Sequence, residues 1–381
     1  MLTKFGGDAE APHPSSGETR ATSASGRPSI GALRAHPIVL CALLFVTLIL
    51  LGWSIIYLLY DAKASASGTL IFEREKQAVD LARLKVSASL DGVVADAEYL
   101  ASLRSLRQFM ASPSSVGRQT ASEALTEYAK YRGLYDQIRL FDLAGREIVR
   151  IDWNNGDSKA APEAQLQDEG DRSYVAESLK LRPREVYFSP IDLKMDDGVI
   201  ESPIKPTARA GIQVLDSAGK KNGFLTLSYL ADHTLSQLRG AAPSTQGDLW
   251  LLNGEGYWLV GPPSDEWAFM YPDRSDRSFG RSYSPDAWRK IRENPASGQI
   301  FAGKDLVTYA SLTPLSQNQT GAAEGVGGDK NPLFIVTRIP AAHLAEMKWD
   351  VRGGPGYLNR FSASISGASA GVRLPCGLAA G

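Results

Sequence analysis

A run of 23 uncharged, mostly apolar residues, Ile38–Tyr60, constrains this chain more than any other feature. As a helix it would extend roughly 35 Å, against ~30 Å for the hydrocarbon core of a bilayer. Buried helices of soluble proteins rarely run so far without a charge. The run is also too long for the core of a secretory signal, and no clean small-residue cleavage site follows it. The pattern predicts a retained membrane helix over residues 36–60. Trp53, Tyr57 and Tyr60 fall in its second half, where rings settle at a headgroup layer.

Lys4, Arg20, Arg27 and Arg34 precede the run, and Asp61 and Lys63 follow it. This excess of basic residues on the near side predicts a cytoplasmic N-terminus. The expected protein is a single-pass protein of the inner (cytoplasmic) membrane with its body in the periplasm of a Gram-negative cell. Residues 1–35, rich in Ser, Gly, Pro and Ala, predict a disordered cytoplasmic tail. The net charge of −1 gives no electrostatic bias toward nucleic acid. Cys41 lies in the apolar run and Cys376 near the C-terminus. The exported body therefore has no internal disulfide to form and must be held by burial.

Past the membrane, residues 65–115 predict a long helix, read as continuous from 68 to 111. Val79, Val86, Leu90, Val93, Ala97 and Leu100 repeat at spacings of 7, 4, 3, 4 and 3, an amphipathic stripe that Ser112-Pro113-Ser114 ends. Such a helix would transmit a displacement to the membrane or serve only as a packing spine. The same stripe would pair two copies in a parallel homodimer or pack on its own domain.

A second helix is expected near Gln119–Tyr131, and then the periodicity shortens. Asp142-Leu-Ala-Gly145, Asp216-Ser-Ala-Gly219 and Asn253-Gly-Glu-Gly256 each separate two strand-like runs. An Asp or Asn opening a turn, with Gly three later, suits a type I turn in a hairpin. Ile138–Gly145 also resembles Leu249–Gly256, a weak repeat near 111 residues. The expected fold class is α+β: a transmembrane helix, a long signalling helix, then two tandem PAS-like modules, each with an antiparallel sheet. The modules are placed at 116–242 and 246–346. In the first, a short helix is expected at Asp171–Leu179, a strand at Glu185–Ser189, and a hairpin of Thr207–Leu215 with Gly223–Tyr229. Phe224, Thr226 and Ser228 alternate with Leu225, Leu227 and Tyr229, so one sheet face is semi-polar and suited to floor a pocket. In the second, a helix is expected at Pro285–Arg292, strands at Gly298–Phe301, Leu306–Leu312 and Leu333–Ile339, and a surface loop over 316–331. Its Trp250, Tyr257, Trp258, Trp267 and Tyr271 read as core.

Tyr135–Asp142 with Gly145, Glu147–Ile151, Glu185–Asp192, Ile200–Pro206, Trp250–Leu259 and Glu266–Met270 together resemble the double Cache (PDC, PAS-like) sensor domains of bacterial transmembrane receptors. More narrowly, they are similar to the extracytoplasmic sensors of histidine kinases and diguanylate cyclases. The resemblance covers residues 65–346. It implies a membrane-distal first module that holds a ligand and a membrane-proximal second one. It also implies a further span leading to a HAMP, kinase, GGDEF or methyl-accepting domain. The sequence departs from that pattern: residues 347–381 are Gly-, Ala- and Ser-rich, with no kinase histidine motif, nucleotide loop or cyclase signature. They read as a disordered, non-native tail left by truncation or frameshift, and no enzymatic activity is expected.

Within the first module the polar residues Arg139, Arg150, Asp152, Arg172, Tyr174, Tyr187, Ser189, Asp192, Lys205 and Arg209 are available. Arginine forks suit a carboxylate or phosphate, an aspartate suits an ammonium group, and tyrosines wall a pocket. The candidate ligand-binding set is Arg150, Arg172, Tyr174, Tyr187, Asp192, Lys205 and Arg209. Arg139 and Arg150 equally suit a solvent face or a pair with Asp152. The expected ligand is a small carboxylate-bearing or zwitterionic metabolite. The four histidines, His13, His36, His233 and His343, are far apart and show no zinc spacing. Asp192, Asp196 and Asp197 lack an EF-hand pattern and read as a solvated loop. No metal and no cofactor is expected, and no nucleophile elbow, P-loop or dinucleotide fingerprint occurs. The leading function is a membrane-anchored extracytoplasmic sensor, the input part of a signal-transduction receptor lacking its output domain. The alternative is a membrane-tethered solute-binding or scaffold protein without signalling output.

Overall fold

A computed structural model describes residues 37–154, 156–196, 198–216, 218–312 and 332–346. The expected tails at 1–35 and 347–381 and the loop at 316–331 lie outside the described residues. The chain divides into two compact units, 1–60 and 61–381.

The first unit contains the start of helix α1 (Pro37–Ser102), in which Ile38–Leu59 is long and apolar enough to cross a membrane. None of that segment is buried against protein. A helix that is apolar on every face and covered by nothing matches lipid as its surroundings.

In the second unit, the stripe Val79, Val86, Leu90, Val93, Ala97 and Leu100 is buried throughout. It shares one core with Ile138, Leu140, Ala210, Leu225 and Leu227 of the first module and with Leu249, Leu251, Leu312 and Ile335 of the second. The stripe is thus covered by the chain's own domains. The expected single helix to residue 111 is interrupted at Leu103, whose ψ of 128° leaves the helical region. A separate helix α2 (Arg104–Ala111) follows. The break re-aims the chain: Leu106, Phe109 and Met110 enter the core, and Arg107 donates Nε to the Leu215 carbonyl at 2.8 Å. Helix α3 (Ser115–Arg132) begins where the Ser114 hydroxyl accepts from the Gly117 amide at 3.0 Å, and ends at Gly133 in the left-handed region.

The first module contains β1 (Tyr135–Phe141), β2 (Glu147–Asn154), β3 (Asp157–Ala160), α4 (Ser173–Lys180), β4 (Val186–Phe188), β5 (Asp192–Leu193), β6 (Met195–Asp196), β7 (Val199–Ile200), β8 (Pro206–Leu215), β9 (Lys221–Leu230) and α5 (Asp232–Ala241). Its antiparallel sheet has the order β3-β2-β1-β9-β8-β4, with β5 also on β8. The second module contains β10 (Asp248–Leu252), β11 (Trp258–Val260), α6 (Pro285–Glu293), β12 (Ser297–Ala302), β13 (Asp305–Leu312), β14 (Leu333–Ile339) and α7 (Ala341–Glu346). Its order, β11-β10-β14-β13-β12, repeats that of the first sheet.

The three turn motifs fold alike. The Oδ1 atoms of Asp142, Asp216 and Asn253 each accept the backbone amides two and four residues on, at 2.8–3.0 Å. The glycine three residues on takes φ of 80–88° in each, which a side chain would strain. The repeat read from the sequence is therefore the β1–β2 and β10–β11 hairpins.

Because α1 is the shared wall of both modules, truncating its stripe should unfold more than a surface change does. We expect Leu90→Ala to cost about 2–5 kcal/mol in denaturant unfolding of the detergent-solubilised chain. Val116→Ala, on an exposed position of α3, should stay within about 0.5 kcal/mol.

Candidate functional site

Strand alternation sends Leu225, Leu227 and Tyr229 toward α1 and leaves Phe224, Thr226 and Ser228 on the opposite face. The register then assembles that face. Arg139 lies between Arg150 on β2 and Thr226 on β9, Thr226 pairs with Gly211 on β8, and Gly211 pairs with Tyr187 on β4. The neighbouring row is Asp152, Gln137, Ser228 and Arg209. Helix α4 covers the face. It comes so close that a Cβ at Gly211 would collide with Ser178 Oγ.

Arg139 is the hub. Its Nη1 is 3.0 Å from Glu169 Oε1 and 3.2 Å from Glu147 Oε1, and its Nε donates to Gln137 at 3.0 Å. Burial disfavours its charge, but Tyr174, Glu147 and Glu169 outweigh that and hold its pKa above the usual value. The Tyr174 hydroxyl donates to Glu169 Oε2 at 2.8 Å, which ties α4 to the hub. Burial first, then Glu169, push the Tyr174 hydroxyl well up, against the nearby arginines. Arg150 is held by Glu147, Asp152 and the Gln165 carbonyl.

Beside the hub, the Arg209 guanidinium lies 5.5 Å from the centre of the Tyr174 ring and 3.6 Å from Asp192 Oδ1. That spacing is too long for a hydrogen bond. The Asp192 side chain as a whole is 35% exposed, yet its Oδ1 is enclosed and has no hydrogen-bond partner. Burial raises the Asp192 pKa, with Arg209 opposing. Burial also raises the Tyr187 hydroxyl, with the charges of Glu177 and Asp192 adding and Arg209 opposing.

Of the residues expected from sequence, Tyr174, Tyr187, Asp192 and Arg209 therefore come together around this face. Arg150 joins the adjoining ionic network, where its partners hold it. Lys205 belongs to a different cluster: with Lys194 it flanks buried Asp136, at 3.4 and 2.7 Å, and it reaches Glu201 at 2.7 Å. Arg172 stands at the rim, its side chain 71% exposed, 3.5 Å from Glu169. Asp196 is exposed on the β6–β7 hairpin, and Asp197 lies outside the described residues. The candidate set omits Arg139, Gln137, Glu147 and Glu169. The alternation Gln137, Arg139, Phe141, set against Thr226 and Ser228, was the available signal for the first two. Glu169 comes from a loop and had none.

The second module builds the same positions from aromatics. Trp250 pairs with Val336 on β14 as Arg139 pairs with Thr226 on β9. The Phe279 amide donates to the Gly256 carbonyl at 2.8 Å, as the Glu169 amide donates to Gly145 at 3.1 Å. Where Arg139 and Glu169 form an ion pair, Trp250 and Phe279 stack edge to face at 6.0 Å. Trp258, Tyr309, Phe334 and Val336 complete that core. Trp267 instead enters the shared core, with Tyr271 against it.

Two consecutive antiparallel modules behind one long helix, one with a polar covered face, define a sensor-type architecture. The chain belongs to the family of bacterial histidine kinase sensor domains, whose model matches residues 80–322. No curated protein shows significant similarity to it. Among solved structures it is similar to a domain from Vibrio parahaemolyticus described as sensory box/GGDEF family. The TM-score is 0.58 at 20% identity, covering 72% of this chain and 99% of that one. It is also similar to the extracellular domain of vpHK1S-Z8, described as a histidine kinase, with TM-score 0.56 and 19% identity over 73% and 96%. The ligand-binding domain of the Campylobacter jejuni chemoreceptor Tlp3, in complex with L-valine, gives 0.50 at 10% identity over 74% and 97%. At these identities the likenesses establish the fold.

The hub makes a specific energetic demand. Arg139→Met leaves Glu147 and Glu169 without their shared cation, and removing one partner of a buried ionic group costs about 3–5 kcal/mol. Denaturant unfolding should register that loss, whereas Arg172→Met, on the exposed rim, should change stability by no more than about 1 kcal/mol.

Proposed function

We propose that this chain is the ligand-binding input part of a signal-transduction receptor and that its first module binds a small zwitterionic or carboxylate-bearing metabolite. The observation that carries this reading is the contrast between the modules. Identical register positions hold charges and hydroxyls in the first and a filled aromatic core in the second. Enclosed polar groups are unfavourable without partners, so a covered sheet face kept polar beside an orphan carboxylate oxygen suits a polar guest. Asp192 takes the guest's ammonium group. Arg209, 3.6 Å from Asp192 and against the Tyr174 ring, is the cation of this face placed to turn to its carboxylate. The L-valine bound by the Campylobacter jejuni domain carries both such charges.

The basic residues before Ile38 support a cytoplasmic N-terminus and a periplasmic body. Ile71, early in α1 beyond the apolar run, clusters with Leu306, Ile339 and Leu344. The resemblance to double Cache sensors supports a membrane-proximal second module and a membrane-distal first one. A ligand that prefers one of two arrangements of the first module would bias α1 through the shared core. With the predicted stripe buried, a homodimer needs another face of α1. Leu70, Leu81 and Leu84 stand exposed on an outward ridge, and we assign the pairing to it.

Two measurements test this. Thermal-shift screening of the full chain in nanodiscs, against amino acids, dicarboxylates and simple amines, should show stabilisation by zwitterions. Asp192→Asn should weaken it at least about tenfold; stabilisation untouched by that change refutes the assignment. The pH signs oppose each other. A raised carboxyl pKa adds stability to the fold below the ordinary aspartate value of 3.8, and this is lost as pH rises through the raised value. Ligand affinity, which needs the carboxylate, should instead fall as the pH drops through it. Separately, Leu81→Glu with Leu84→Glu should shift the chain toward monomer in cross-linking and sedimentation. An unchanged dimer fraction would move the seam elsewhere.

A further inference from the structure

A second candidate site lies on the outer side of the second module and is independent of the ligand reading of the first. Between the tip of the β10–β11 hairpin and α6 runs a groove of about 560 Å³, in the size range of small-molecule sites. Arg281, Arg289 and Arg292 line it, with Trp288 among them and Glu255 and Glu293 also present. Arg289 is paired with Asp286 at 2.9 Å. Among the described residues, Arg281 and Arg292 make no ion pair. With Arg289 held by Asp286, Arg281 and Arg292 share the groove with Glu255 and Glu293, so its charge balances, and neither of those two guanidinium forks is committed to an ion pair.

Its apolar wall is built in. The Trp288 ring packs edge-on against Phe279 and Phe334, at 6.1 and 5.4 Å. A Cβ at Gly280 would come within 2.7 Å of Trp288 Cδ1, so the absence of a side chain there lets the indole lie against the backbone. Gly280 and Arg281 belong to a single π-type turn, Phe279–Tyr283. Such turns are often associated with functional sites. Spacing by three along α6 puts Arg289 and Arg292 on one side of the helix.

We propose that this groove binds a small organic phosphate, with the phosphoryl group on Arg281 and Arg292 and a flat apolar body against Trp288. Guanidinium forks match phosphate oxygens in pairs, and the indole supplies the remaining contact area. A soluble phosphate ester and a phospholipid headgroup share this chemistry.

Isothermal titration of the full chain in nanodiscs of zwitterionic lipid, with phenyl phosphate as probe, tests the site. Saturable binding is expected, tighter than that of inorganic phosphate or of phenol alone. Arg281→Gln with Arg292→Gln should weaken it about tenfold or more. The double lysine variant, which keeps charge but not the fork, should fall between. Asp192→Asn should leave it unchanged, which separates this site from the one in the first module. Both arginines are exposed, so the melting temperature should stay constant across these variants. Repeating the titration in discs containing anionic phospholipid assigns the source. Competition by the lipid that the glutamine variant abolishes identifies a headgroup, and retained affinity identifies a soluble ester. No saturable binding of phenyl phosphate, or binding indifferent to both arginines, overturns the proposal.

Discussion

Everything in the folded body leans on one apolar seam, the face of α1 from Val79 to Leu100. Its residues are buried not against one sheet but against the backs of two, in a single core that runs from Leu140 and Leu227 to Leu251 and Ile335. Apolar burial contributes roughly 25 cal/mol per Å², and no disulfide is present among the described residues to share the task. The consequence is mechanical as well as energetic. Neither sheet can shift on the helix without disturbing a close-packed interface, so a change in either module is felt by α1.

With one sheet face committed to α1, the opposite face is where the modules diverge. Both use the same strand order, the same side-chain-closed hairpin and the same backbone bond from the following segment to the hairpin glycine. One then fills the covered face with Trp250, Trp258, Phe279 and Phe334. The other fills it with Arg139, Glu147, Glu169 and Gln137. An ionic network in that position is a costly way to make a core, since desolvation offsets much of the attraction. The aromatic version shows that the fold does not require it. The charged version fits the polar guest we propose.

The charges of the network are largely paired with one another. Arg139 and Arg150 are satisfied by carboxylates and a carbonyl, and Arg209 rests on the Tyr174 ring near an incompletely paired Asp192. Tyr174 ties α4 to the hub through Glu169, so under the proposed function an exchange of these partners would move that helix.

Much of the architecture was legible in local pattern. Uncharged length announced the membrane helix, a stripe at helical spacing announced α1, and the Asp/Asn-x-x-Gly motifs announced hairpins whose side-chain oxygens and left-handed glycines follow from chemistry within four residues. The alternation of Phe224, Thr226 and Ser228 with leucines announced a polar sheet face for the same reason: period-two geometry is a property of the strand itself. Which polar residues meet on that face was decided only in three dimensions. Arg150 and Lys205 are typical binding residues by type, but Arg150 is claimed by Glu147 and Asp152 of its own strand, and Lys205 by Asp136, far along the chain. Glu169 is an unremarkable loop residue that the fold of that loop onto Gly145 carries to Arg139. The break at Leu103 and the covering of the α1 stripe by the chain's own sheets are likewise tertiary outcomes. Local sequence sets periodicity and turn chemistry, whereas ion pairing and burial depend on neighbours that only strand register and helix docking supply.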